Sequence, residues 1–210
     1  MSRAVSATAN RAGITKDWNS VWFANNNDYA KFLLEDHNIR NYLFDRLRVA
    51  NIDNVIIKRQ IGSIKIIVKV GKPGIAIGRK GKDLAVIREV IQKMTESKLE
   101  IIVEEVKRPD ASAKIIADTI AMQLEKRFSP KRALNIAADK AIQQGAKGVK
   151  IVIGGTIFGP SSIASVLKTT RGALPTQTLR KDITFAKSTA HTIGGTIGVK
   201  VWINNGDIVK

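Results

Sequence analysis

Cysteine is absent from this chain of 210 residues. That excludes a disulfide framework, a thiolate zinc site and a cysteine nucleophile, and it fits a reducing compartment. Histidine is nearly absent too, with His37 and His191 the only two. Neither has a second His or an acidic cluster at ligand spacing, so no metal site is expected. Ser188 and His191 offer a hydroxyl and a base but no nucleophile elbow and no acid partner, so catalysis is not expected. Aromatic residues make up only 5% of the chain. Long apolar runs are also missing. Stretches such as Ile66-Ile67-Val68 are strand-sized, far short of the roughly 20 residues a membrane-spanning helix needs. Negative charge is scarce relative to positive: 18 Asp and Glu face 35 Lys and Arg, a net of +17. Such an imbalance points to a polyanionic partner, with nucleic acid and an anionic membrane surface as the two candidates.

What is present is enough to fold. Apolar residues form 44% of the sequence, so a core can be buried. The segment from Met1 to Gly13 lacks an apolar core and is not expected to be a secretory signal. Its Ala, Ser and Arg content resembles a transit peptide, but an unstructured arm that orders on RNA is the favoured reading. Residues 1–27 read as irregular, with Trp18, Trp22 and Phe23 clustered in them. Base stacking is one use for such rings, and a hydrophobic anchor for the segment is the preferred one.

From Asp28 to Ala50 the apolar spacing is helical, with Asn38 as a candidate break. Asn54–Arg59 and Ile64–Val70 flank Gly62-Ser63 and predict a hairpin. A short apolar helix (Pro73 to Ile77) follows, then Gly78-Arg79-Lys80-Gly81, then a helix from Lys82 to about Ser97. Leu99–Val106 reads as a strand. Lys107-Arg108-Pro109-Asp110 marks a boundary. Beyond it, Asp110 or Ser112 caps a helix expected to reach Phe128, and Ser129-Pro130 opens another that Gly145 ends. The remainder predicts strands at Val149–Ile153, Ser162–Thr170, Leu179–Ser188 and Gly198–Asn204. Ile153-Gly154-Gly155-Thr156-Ile157 recurs as Ile193-Gly194-Gly195-Thr196-Ile197, which suggests paired turns or bulges in one sheet rather than a repeat protein.

Two motifs carry chemistry. A Gly-x-x-Gly loop between two helices, preceded by a hairpin and followed by a strand, is the context of a KH domain. There Gly78 and Gly81 let nucleic-acid backbone approach, Arg79 and Lys80 supply charge, and helix N–H groups face phosphate. Phosphate-binding alternatives fail on spacing, because Ala76 stands where either pattern needs glycine and Asp83 follows Lys82. The second motif, Lys126-Arg127-Phe128-Ser129-Pro130-Lys131-Arg132, puts four cations across a helix–helix junction. Charge runs are commonly solvated faces. Here residues 107–210 hold 17 basic and only 6 acidic residues, a net of +11, against 18 and 12, a net of +6, in residues 1–106. That asymmetry favours an RNA-contacting patch.

With loop and junction in view, the chain resembles the universal small-subunit ribosomal protein family numbered three, in its bacterial-type form. The resemblance runs from about Gly13 to Val209. It is carried by Trp18-Asn19-Ser20-Val21-Trp22-Phe23-Ala24, by Pro73 to Gly81, by Val106-Lys107-Arg108-Pro109 and by Gln123-Leu124-Glu125-Lys126-Arg127. Gly145-Ala146-Lys147-Gly148-Val149-Lys150, Thr178-Leu179-Arg180 and Ile197 to Ile203 complete it.

The resemblance implies an α+β chain: a type II KH domain followed by a C-terminal domain of two helices packed on a mostly antiparallel sheet. The expected division is an arm over 1–27, the KH domain with its leading helices over 28–107, and the C-terminal domain over 108–210. It implies a structural, non-enzymatic role in the head of the small ribosomal subunit, cytoplasmic rather than organellar. The implied partners are small-subunit ribosomal RNA, messenger RNA where it enters, and neighbouring head proteins; no membrane, small-molecule substrate or cofactor is implied.

The family's junction residues face incoming messenger and assist its unwinding, and Lys131 and Arg132 match two of them. A third basic position reads Asn135 here, which implies a weaker unwinding role. Gly154-Gly155 and Ser165-Val166-Leu167 replace charged family residues, and the usual His-Pro before Arg11 is missing. The RNA-binding candidates are therefore Gly78, Arg79, Lys80, Gly81, Lys131 and Arg132, with Lys126, Arg127, Lys147, Lys150, Arg171, Arg180, Lys181 and Lys187 as weaker ones. Two competing readings remain: a free KH-type regulatory RNA-binding protein, and a nuclease. The nuclease would need paired carboxylates, whereas Asp110, Asp118, Glu125 and Asp139 are scattered along two helices.

Overall fold

The computed structural model describes residues 6–60, 62–78, 81–95, 97–157 and 163–208, so Arg79, Lys80 and the expected strand start at Ser162 lie outside the described residues. The chain divides into two compact units, Trp18–Lys107 and a second composed of Met1–Asp17 with Arg108–Lys210.

The first unit runs β1 (Ser20–Val21), α1 (Asn26–Arg46), β2 (Ile52–Gln60), β3 (Ser63–Val70), α2 (Pro73–Ile77), α3 (Lys82–Met94) and β4 (Lys98–Glu105). Helix α1 is continuous through Asn38, contrary to the expected break. Asn38 is exposed, while Asp36, Ile39 and Leu43 keep one face buried through that turn. An exposed Asn costs a helix only about 0.5 kcal/mol, too little to divide it. The β2–β3 hairpin forms as expected, pairing Ile57 with Ile66. In β3 burial alternates strictly, which places Lys65 and Lys69 on the face opposite Ile64, Ile66, Val68 and Val70.

The sheet order is β1-β2-β3-β4, with β4 parallel to β3. A parallel neighbour needs a crossover connection. Helices α2 and α3 supply it, and the glycine loop is the corner between them. The core joins Ile39 and Leu43 of α1 and Ile87 and Ile91 of α3 to Ile57, Ile64, Ile66 and Val68 of the sheet. Helix α3 stops at Met94 rather than Ser97, because Thr95 turns extended and its hydroxyl donates back to the Ile91 carbonyl at 3.2 Å.

The second unit contains α4 (Ala113–Glu125), α5 (Pro130–Gln143), β5 (Gly148–Gly155), β6 (Ser165–Gly172), β7 (Lys181–Thr192) and β8 (Gly195–Asp207). The strand order is β6-β5-β8-β7, and every neighbouring pair is antiparallel. One face of this sheet buries Val149, Ile151, Ile153, Val199, Val201 and Ile203 against Ile116, Ile120, Leu124, Leu134 and Ala138 of the helices. Ser112 caps α4 by accepting the Ile115 N–H at 3.4 Å. Ser129 occupies the capping position of α5, but its side chain makes no capping bond. The two Ile-Gly-Gly-Thr-Ile copies abut in the sheet: Gly155 pairs with Ile197, and the Thr156 hydroxyl donates to the Gly194 carbonyl at 2.9 Å.

Residues 6–17, expected to be an irregular arm, are tied to this unit. Arg11 is fully buried, and its guanidinium donates to the carbonyls of Ala7 (3.0 Å), Thr176 (2.9 Å), Thr178 (3.0 Å) and Lys181 (3.0 Å). Ala7 packs on Ile183 and Trp202, and Lys16 bridges to Asp182 at 2.5 Å.

Candidate nucleic-acid interface

At the glycine loop, Pro73 starts α2 at its first position, where a missing N–H costs nothing. Gly78 ends that helix with φ of 72°, its N–H bonded to the Gly74 carbonyl at 3.1 Å. Gly81 has φ of 76° and precedes α3. Both angles lie in the left-handed region that glycine alone enters freely. The two glycines differ in surroundings. A Cβ on Gly81 would meet nothing within 4 Å, whereas one on Gly78 would lie 1.9 Å from Oδ2 of Asp83. The Gly78 requirement is thus partly internal, set by a carboxylate in the first turn of α3, whereas nothing crowds the Cβ position of Gly81. Arg79 and Lys80 lie outside the described residues.

At the junction of α4 and α5 the local choices run against stability. Lys126 caps α4. Beyond it the Arg127 N–H bonds to the Leu124 carbonyl at 2.9 Å and the Phe128 N–H to Gln123 at 3.0 Å, a Schellman closure. The left-handed position of that motif, normally glycine, is filled by Arg127 at φ of 60°. Lys131 and Arg132 then stand in the first turn of α5, which holds no acid. Cations there oppose the helix dipole. Lys126, Arg127, Lys131 and Arg132 are all exposed, and among the described residues none pairs with a carboxylate. Unfilled helix N–H groups, a strained Arg and uncompensated cations converge on an electropositive corner suited to phosphate. Asn135 is half-buried one turn further on, where its side-chain oxygen accepts from the Thr169 hydroxyl at 3.4 Å.

The weaker candidates separate by environment. Arg171 faces Asp139 at 3.4 Å. Lys181 and Arg180 converge on Asp207 at 2.6 and 3.8 Å. The hydrogen bond from Lys181 holds the Asp207 carboxyl below its ordinary value; the charges of Lys181, Arg180 and Lys147 add to this, against desolvation. Lys150 lies over the Trp202 ring, 5.2 Å from its centroid. Lys147 and Lys187 are exposed.

Sequence reasoning missed a buried polar centre. Asp36, only 1% exposed, accepts from the Ser20 hydroxyl and the Trp22 indole, both at 2.9 Å, and from Arg59 Nε at 2.9 Å. Arg59 also reaches Glu35 at 2.8 Å and sits 4.7 Å from the Phe32 ring centroid. Trp22 is therefore the anchor of its segment, while Trp18 (63%) and Phe23 (91%) remain exposed. The helix–strand pairing that assembles this centre leaves no local signal.

The helix, strand, strand, helix, glycine loop, helix, strand order of the first unit, with its parallel β3–β4 pair, is that of a type II KH domain, and residues 38–111 match the KH domain family model. Residues 120–203 match the model described as ribosomal protein S3, C-terminal domain. Proteins called small ribosomal subunit protein uS3 are similar over nearly the whole chain. That of Caldicellulosiruptor saccharolyticus is 42% identical over 95% of this chain and 90% of its own length, and that of Shewanella frigidimarina is 38% identical over 100% and 91%. The chain belongs to the uS3 family of ribosomal proteins; its role is structural and it is not an enzyme.

Proposed function

We propose that the chain is a constituent of the small-subunit head that binds ribosomal RNA, and that its α4–α5 junction faces messenger RNA as it enters. Three sources support this reading: the family, the +17 charge and the junction geometry. The junction carries most weight, because a left-handed Arg127 and first-turn Lys131 and Arg132 lower stability with no internal return. Phosphates of a passing strand would neutralise these cations and accept from the free N–H groups of α5. Gly78, Arg79, Lys80 and Gly81 form a second contact, and Lys126, Lys147, Lys150, Arg171, Arg180, Lys181 and Lys187 add long-range attraction. Arg180 and Lys181 contribute least, being partly neutralised by Asp207. Asn135 supplies no charge at the junction, so unwinding relies on Lys131 and Arg132. The setting is a cytoplasmic ribosome, with neighbouring head proteins as the other partners.

The test replaces Lys131 and Arg132 together with Ala in the ribosome. Both are exposed, so folding should persist. Translation through a stable stem-loop should slow relative to unstructured messenger. Equal passage through both would count against the assignment, and a protein sedimenting wholly apart from the small subunit would remove the ribosomal role itself.

A further inference from the structure

Strand β4 is the outer strand of the first unit's sheet, and among the described residues β3 is its only strand partner. The Lys98 N–H donates to the Gly62 carbonyl at 3.0 Å, and the Val106 N–H to the Val70 carbonyl at 2.9 Å. Backbone groups alternate between the two edges of a strand. The even-numbered residues therefore face β3, and Leu99, Ile101, Val103 and Glu105 turn their N–H and C=O groups outward. The register runs unbroken from the Ser63–Lys98 pair to the Val70–Glu105 pair, so this alternation holds along the whole strand.

Open edges recruit other strands, and proteins blunt them with shortness, lysine, proline or a bulge. The other edge strands carry such devices. β1 is two residues long, β6 bears Lys168 and Arg171, and β7 has a register shift between Lys181 and Ile183. β4 has eight residues, no proline or glycine, and no shift. Its charge is acidic, with Glu100, Glu104 and Glu105 exposed against Lys98 alone. Lys65 lies 3.7 Å from Glu100, and both side chains are exposed, so the pair relieves little. Among the described residues neither Glu104 nor Glu105 pairs with a cation. In a chain of net charge +17 this edge is unsuited to RNA, because its carboxylates repel phosphate. They also repel the same edge of a second copy, and they admit a cationic strand.

We propose that β4 is a docking edge for an extended, Lys/Arg-rich segment of a neighbouring protein, which adds a strand outside it. Glu100, Ile102 and Glu104 share the sheet face of their register partners Lys65, Ile67 and Lys69. An added strand would set a cation beside Glu100, an apolar residue beside the half-buried Ile102 and a second cation beside Glu104. The sequence that fits is cation-x-apolar-x-cation, which reads the same in either strand direction. Main-chain bonds to Leu99, Ile101, Val103 and Glu105 supply affinity, and the alternate side chains supply selection. This names the chemistry of a protein partner and rests only on that part of the reading above.

The experiment follows amide hydrogen exchange of the full chain by NMR while the peptide acetyl-Thr-Lys-Thr-Ile-Thr-Lys-Thr-amide is added. Exchange at Leu99, Ile101, Val103 and Glu105 should slow several-fold, while Glu100, Ile102 and Glu104, already bonded to β3, should change little. The same peptide with Asp for Lys should give no protection. E100Q/E104Q alters only exposed side chains and should keep the fold by circular dichroism. It should need roughly five-fold more Lys peptide for equal protection, two exposed cross-strand charge pairs having been lost. E100K/E104K should exchange the preference and take the Asp peptide. Protection spread evenly over odd and even residues would overturn strand addition, and so would equal protection by the Lys and Asp peptides. Protection that grows with protein concentration alone would give the edge to a second copy. RNA that protects these amides would give it to nucleic acid. Either result would sink the proposal. A chain sedimenting apart from the small subunit would remove the ribosomal setting, while the peptide measurement would still decide the edge.

Discussion

Replacing Arg127 with Gly should raise stability and lower RNA affinity in one step. At φ of 60° an L-residue suffers a clash costing roughly 1–2 kcal/mol that glycine escapes. Glycine brings an opposing cost of roughly 0.5–1 kcal/mol through the freer unfolded chain. The difference leaves the variant about 0.5–1 kcal/mol more stable. With a urea slope of about 2 kcal/mol/M, that is a midpoint shift of roughly 0.3–0.5 M. Hydrogen exchange at α4 amides would localise the gain to the helix that Arg127 closes. The same substitution removes one exposed cation from the junction, so the salt slope of RNA binding should fall by about one contact. Companion variants separate the two effects: R127K keeps strain and charge, while R127A keeps strain and loses charge. A lower urea midpoint for R127G, or an unaltered salt slope, would refute the argument that strain is retained there for a cation.

Other outcomes follow from the same geometry. D36A should cost about 3 kcal/mol in urea unfolding, since it removes the buried acceptor shared by Ser20, Trp22 and Arg59 and leaves the guanidinium only Glu35 as a carboxylate partner; the apolar pair D36L/R59M should recover part of that loss. G78A should lower thermal stability by more than about 1 kcal/mol, because it meets both a positive φ and the Asp83 side chain; G81A, with open space around it, should cost less. D207N tests a pH dependence. The folded carboxyl is held below its ordinary value, so the stabilisation by Lys181 and Arg180 is complete above the usual carboxylate range and is lost as pH falls through the folded value. The gap in unfolding temperature between wild type and D207N should be open at neutral pH and close in acid. A gap that widens toward low pH would contradict that sign.

Much of the fold could be read from local signals. The hairpin, the glycine corner, the Ser112 cap and the Gly145 stop each depend on a few adjacent residues, and each formed where expected. The structure departs from local propensity where core packing or a strained turn overrides it. Asn38 stays helical because Ile39 and Leu43 are needed in the core, and α4 ends before Phe128 because Arg127 accepts a left-handed turn that its residue type disfavours. The junction cations were legible as a run, and the structure added their helix-end setting. The Asp36 centre was not legible, because it depends on β1 lying beside β2 and on α1 crossing both. The shared register row of Lys168 and Lys200 is not legible in the sequence for a similar reason. Only the order β6-β5-β8-β7 brings them into register with Lys187, and strand order is a property of crossovers that alternation along one strand does not encode.

The Arg11 clamp has a consequence for biosynthesis. Its carbonyl acceptors at Thr176, Thr178 and Lys181 leave the ribosome long after Arg11 itself, whereas Trp18–Lys107 is contiguous and available in one stretch. A chain emerging residue by residue would therefore complete its middle portion first. Its leading segment would wait, guanidinium solvated, until the late strands arrive to enclose it, and closure of that long loop becomes the last step of maturation.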